Sequence, residues 1–174
     1  MSSTQYLIPE QNSHLKLARL LVIISKLEYS SRKTPILDIE KLAIFEFLIK
    51  YPDILRKLKK MNSDKEALYL LDYEVDSIES KFPNSISLYN YKDLYNLLKI
   101  LIYYGFIDVK SNKGKVCYTI TLKGGRFNEE LKSSYLKRVD ELCESMLSLR
   151  SVNANKLKQM IKFIMGGMND EYLS

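Results

Sequence analysis

The stretch YGFIDVKSNKGKVCYTITLKGG, residues 104–125, constrains this chain more than any other. FIDV (106–109) and VCYTITL (116–122) are short strand-like runs, and KSNKGK (110–115) between them is a turn. In the second run Val116, Tyr118, Ile120 and Leu122 alternate with Cys117, Thr119 and Thr121, the period of a strand with two unlike faces. Asn112 and Gly114 are the turn residues that tolerate positive φ. NYKDLYNLLKILIYYG (90–105) precedes the hairpin and reads as a helix, capped by Asn90 and stopped by Gly105. Its inner stripe is Tyr91, Leu94, Leu98 and Leu101, widened by Leu97 and Ile102. KGG (123–125) then turns the chain into a further helix. Helix, strand, basic turn, strand is the order of a winged helix, with 106–122 as the wing. The competing reading is a hairpin in another kind of mixed domain.

The rest of the chain reads as helical. SHLKLARLLVIISKLEY (13–29) keeps Ala18, Leu21, Val22 and Ser25 on one face, extended by Leu15 and widened by Leu17, Leu20 and Ile24. That breadth of apolar surface predicts a central core helix. Asp38 is placed to cap a second helix crowded with Ile39, Leu42, Phe45, Phe47, Leu48 and Ile49. Pro52 ends it and opens a short basic amphipathic helix over 53–61. Residues 62–90 predict one or two short helices, with Val75, Ile78 and Phe82 on one face and Pro83 as the stop.

After the hairpin the pattern predicts one helix from about Arg126 to Leu149, lined by Phe127, Leu131, Tyr135, Val139, Leu142, Met146 and Leu149. RSVN (150–153) breaks it, and a last helix repeats the seam with Ala154, Leu157, Ile161, Ile164 and Met168. The expected architecture is mainly α with a small β-hairpin. A winged-helix-like domain spans 1–125, and a C-terminal helical extension, a helical hairpin, spans 126–174. Two uses of the seams stay open: packing on the domain, or a partner interface through Leu142, Met146, Leu149, Leu157, Ile161 and Ile164.

Charge narrows the function classes. The chain has 174 residues and a net charge of +6. Lys99, Lys110, Lys113, Lys115, Lys123 and Arg126 against Asp108 leave the hairpin region at +5. RKLKK (56–60) adds +4, Arg150 to Lys162 holds four basic residues and no acid, and Asp64 to Lys81 sums to −4. Such blocks fit nucleic-acid contact or electrostatic docking of subunits. The turn lysines Lys110, Lys113 and Lys115 suit phosphate, and Lys92, Asn96 and Lys99 face outward on the helix before the hairpin. Only Asn96 among them suits direct base reading. Sequence-specific recognition, non-specific double-stranded DNA contact and pure protein contact therefore all remain.

Catalysis finds no support. LKGGRF has its lysine before the glycines, unlike a phosphate-binding loop. DYEVDSIE (72–79) lacks the glycine of a calcium loop. Cys117 and Cys143 have no metal-ligand spacing, and the single histidine, His14, has no partner for acid–base work. No cofactor is expected. No apolar run reaches a membrane span, and the first residues, MSSTQYLIPEQNSH, do not read as a signal peptide, so a cytoplasmic protein is expected.

LARLLVIISKL, DIEKLAIFEFLIKYPDIL, LYNLLKILIYYGFIDV and YTITLKGG together resemble the middle components of bacterial three-component ABC-type (Lamassu-like) defence systems. The second helix ending in Tyr-Pro is the most telling part, and the resemblance covers roughly 15–58 and 91–127. It implies a small winged-helix subunit without enzymatic activity. Its partners would be an SMC-like coiled-coil ATPase and a nuclease or other effector, held inactive until foreign DNA is sensed. Read from the residues alone, the alternative is a homodimeric winged-helix DNA-binding transcriptional regulator.

Overall fold

A computed structural model describes residues 9–64 and 66–173 of the chain, with side chains as far as residue 167. Most of the segment inspected for a leader, residues 1–8, and the Met168 side chain lie outside what is described. The elements in order are α1 (Ser13–Leu27), α2 (Ile39–Lys50), α3 (Pro52–Met61), α4 (Asp72–Asp76), α5 (Ile78–Lys81), α6 (Tyr91–Tyr103), β1 (Ile107–Asn112), β2 (Lys115–Ile120), α7 (Leu122–Glu130), α8 (Ser134–Ser145) and α9 (Ala154–Leu173). Among the described residues the fold is mainly helical with one antiparallel two-stranded hairpin, the architecture expected.

Local chemistry sets the helix ends. Asp38 caps α2 through its carboxylate, which accepts from the Lys41 N–H at 3.0 Å. Pro52 occupies the first turn of α3, where its missing N–H costs nothing. Asn90 precedes α6 but does not cap it; its amide donates to Asp93 Oδ2 instead, at 2.6 Å. Gly105 stops α6 at φ 72°, with its N–H on Ile102 O and the Phe106 N–H on Leu101 O, a Schellman end.

α2 is the centre of the molecule. Every residue from Lys41 to Ile49 is buried, and α1, α3, α6, α8 and α9 all pack around it. α1 was expected to be central, and its run Leu20–Ile24 with Leu27 is indeed fully enclosed.

The hairpin is tighter than its sequence suggests. Asn112 pairs with Lys115, so the connection is the two residues Lys113 and Gly114, at φ 50° and 77°. Positive φ at both positions is the turn that matches strand twist. Lys113, not Asn112, takes the left-handed position, and the Asn112 side chain donates to the Pro35 carbonyl at 2.7 Å. On its other edge β2 meets residue 37, the Tyr118 N–H donating to Leu37 O at 3.0 Å. That contact helps bury Cys117, Tyr118 and Thr119 in succession, while Val116 stays 53% exposed.

Two helical expectations change. The single helix over 126–149 is two helices, because Leu131 leaves helical geometry at ψ 100° and the Ser133 hydroxyl accepts from the Leu136 N–H to cap α8. KGG is not a turn but part of the first turn of α7, capped by Thr121. Residues 72–81 form two short helices separated by extended Ser77, within the expectation of one or two, and Ile78 and Phe82 are both exposed.

α8 lies on α1, and α9 on α3 and α2. Leu136, Leu142 and Leu157 belong to the same apolar cluster as Leu20 and Phe45. The expected division at 125/126 thus runs between residues that share one core.

Candidate interaction surface

Lys92, Asn96 and Lys99 all lie exposed along one stripe of α6, four and three residues apart. Leu94, Leu98 and Leu101 hold the opposite face of that helix in the core. The side chains of Lys92 and Lys99 make no hydrogen bond or ion pair with any described residue.

The hairpin lysines divide in two. Lys110 donates to the Tyr29 hydroxyl at 2.6 Å and sits 5.3 Å over that ring; this bond, then the phenol's charge, raises its pKa. Lys115 pairs with Asp38 Oδ2 at 2.8 Å, and that bond and charge likewise raise its pKa. Lys113, at the tip, makes no such bond among the described residues. Of the three, only the tip is uncommitted.

Other basic runs are largely absorbed. Arg56 and Lys57 both reach Asp53, and buried Lys59 lies 3.3 Å from Asp64. Lys158 donates to Tyr91 Oη at 3.0 Å and Glu40 at 3.2 Å, and lies over the Tyr89 and Tyr91 rings.

The seam residues Leu142, Met146, Leu149, Leu157, Ile161 and Ile164 are all placed in the chain's own core, none more than 7% exposed. The surfaces left on α8 and α9 are their outer faces, where Phe163 is 75% exposed.

Two charged networks were not legible in the sequence. Arg19, enclosed on α1, grips both carboxylate oxygens of Glu46 at 3.0 and 2.8 Å and also bonds Glu10 and Tyr135. Burial disfavours its charge, but the facing carboxylates more than compensate and raise its pKa. Arg138 on α8 holds Glu74 bidentately at 2.9 and 2.7 Å and the Tyr69 carbonyl at 2.8 Å, fastening residues 69–74 to the core. No pattern of spacing announces these pairs, since their members lie 27 and 64 residues apart.

Cys117 and Cys143 are buried free thiols, and burial pushes both up, away from the reactive thiolate. His14 is exposed. Among the described residues no cluster of His, Cys, Asp or Glu could hold a metal ion, and no helix is long and apolar enough to cross a membrane.

Fold and surface define a small, mainly helical component whose prominent exposed element is a basic hairpin. The chain matches the family described as ABC-three component (ABC-3C) system Middle Component 4 over residues 27–159, and it belongs to that family. Membership makes it one component of a multi-component system, which implies protein partners and is consistent with an adaptor role. No curated protein and no solved structure matches it.

Proposed function

We propose that this chain is a non-catalytic winged-helix adaptor in a cytoplasmic bacterial antiphage or anti-plasmid defence complex. It links an SMC-like coiled-coil ATPase to a nuclease or other effector. The observation that carries the reading is the family match over residues 27–159. The order α1, the edge segment at 37, α2, then α6 and the hairpin supports the winged-helix part. Burial of Leu142, Met146, Leu149, Leu157, Ile161 and Ile164 takes from the homodimeric regulator the apolar contacts it would use to pair. Partner subunits meet the outer faces of α8 and α9 instead. Lys92, Asn96, Lys99 and Lys113 line a non-specific path for duplex DNA through the complex, and Lys110 and Lys115 add charge already shared with Tyr29 and Asp38.

The test is a tagged pull-down from the native host at moderate salt, read by mass spectrometry. Recovery of a large coiled-coil ATPase with an effector is expected. Recovery of this chain alone, as a dimer on DNA, would overturn the adaptor. Charge reversal at Lys92, Lys99 and Lys113 is expected to weaken DNA association of the complex; unchanged association would remove the DNA path.

A further inference from the structure

Four aromatic rings line up across the surface where α6 ends and α7 begins. Tyr103 meets Tyr104 edge-on with centroids 5.6 Å apart. Tyr104 stacks on Phe106 at 5.9 Å and 22°, and Phe106 on Phe127 at 4.7 Å and 10°. Two glycines build the ladder. Gly105 at φ 72° reverses the chain so that Tyr104 and Phe106 flank the corner. Gly124 brings α7 so close to Phe106 that a Cβ there would lie 2.0 Å from the Phe106 carbonyl oxygen. Phe127, three residues on, then falls on the Phe106 ring.

Much of this aromatic surface faces water. Tyr103 is 85% exposed, Tyr104 53% and Phe127 39%. Cations stand among the rings. Lys99 lies one turn before Tyr103, and Lys123 Nζ sits 5.2 Å over the Phe106 ring while donating to the Tyr104 carbonyl at 2.6 Å. Arg126 is exposed beside Phe127, and the acids of α7, Glu129 and Glu130, are at the helix's far end. The stripe Lys92, Asn96, Lys99 runs straight into Tyr103.

We propose that this ladder is a platform for single-stranded nucleic acid, with bases stacking on Tyr103 and Tyr104 and phosphates meeting Lys99, Lys123 and Arg126. Exposed aromatic surface with cations beside it is what an unpaired strand uses; the nearby exposed acids, Asp93 and Asp108, lie on α6 beside Lys92 and on β1. A duplex hides its base faces and would use the lysines alone. A protein partner would use the rings, but it gives no reason for cations interleaved with them. The inference does not rest on the adaptor reading: it concerns this chain by itself.

Fluorescence anisotropy of the purified full chain with a labelled oligothymidylate of about 15 nucleotides, near the upper size of one such site, tests it. The single strand is expected to bind more tightly than a duplex of equal length and to weaken as salt rises. Tyr103→Ala removes almost no buried surface and is expected to cost about 5- to 150-fold in affinity, the range for losing one stacked base. Tyr103→Phe is expected to bind as the parent does, and Lys123→Glu with Arg126→Glu to lose binding. No oligothymidylate binding, equal affinity for the duplex, or an unchanged affinity in Tyr103→Ala would each overturn the proposal. So would a Tyr103→Ala chain that loses a protein subunit yet keeps the oligonucleotide.

Discussion

Gly124 and Gly125 are neighbours in α7, yet the structure asks opposite things of them. A Cβ on Gly124 would meet the Phe106 carbonyl oxygen at 2.0 Å, its carbonyl carbon at 2.8 Å and Ile120 Cγ1 at 3.0 Å. A Cβ on Gly125 would meet nothing within 4 Å. The Phe106 carbonyl cannot swing aside freely, because it accepts from the Thr121 N–H at 3.0 Å and the Thr121 hydroxyl at 3.1 Å. The same hydroxyl caps α7 by accepting from the Gly124 N–H. In Gly124→Ala the start of α7 must therefore move away. Overpacking of this kind costs about 1–3 kcal/mol, and weakening the cap adds up to about 1 kcal/mol. Against this stands the helix preference for alanine, at most about 1 kcal/mol. The net expectation is a loss of about 1–3 kcal/mol for Gly124→Ala, and a gain of about 0.5–1 kcal/mol for Gly125→Ala. Urea unfolding followed by far-ultraviolet circular dichroism reads both, with stability assigned from midpoints at equal slope. If the two variants unfold at the same midpoint, α7 does not approach Phe106 as described.

Three further predictions test the core and its charges. Arg19→Met is expected to cost about 3–5 kcal/mol, because it leaves Glu46 buried without its partner; pairing it with Glu46→Leu should recover most of that in a double-mutant cycle. Independent costs that simply add would refute the coupling. Leu157→Ala should cost about 2–5 kcal/mol in one cooperative transition; an early separate transition of α8 and α9 would refute a shared core. Glu28, half-buried, accepts from the Ile120 N–H at 2.7 Å, and burial raises its carboxyl above the ordinary value of 4.5. The folded state then holds the proton more tightly than the unfolded one, so this group's contribution falls as pH rises from 4.5 through its folded value. Glu28→Gln keeps an acceptor and removes that dependence. Its stability relative to the parent should rise from acid to neutral pH in thermal melts, and a flat difference would refute the assignment.

Much of the local structure was legible because its causes are local. The cap at Asp38, the Pro52 start and the Gly105 stop each depend on the type of one residue and on backbone groups within a few positions of it. The hairpin was readable from alternation and the lysine-rich turn, although Lys113 rather than Asn112 bends it. The break at Leu131 was missed because the apolar spacing runs on through it, while a lone Ser133 hydroxyl decides where α8 begins.

What remained hidden is a matter of distance along the chain. Lys110 and Lys115 looked like a pair of free phosphate contacts, but Tyr29 and Asp38, 81 and 77 residues away, hold them. The apolar seams specified that α8 and α9 bury one side, and no periodicity says against what; packing on α1, α2 and α3 answered that. Arg19 lies within an apolar helix, and its partner Glu46, 27 residues on, meets it only in the folded chain. Propensity, capping and patterning act between neighbours, so the sequence alone determined most of the helix ends, the hairpin and most of the sides to be buried. Desolvation and pairing of charge depend on which distant groups meet, so only the tertiary structure decided which cations and rings were left at the surface.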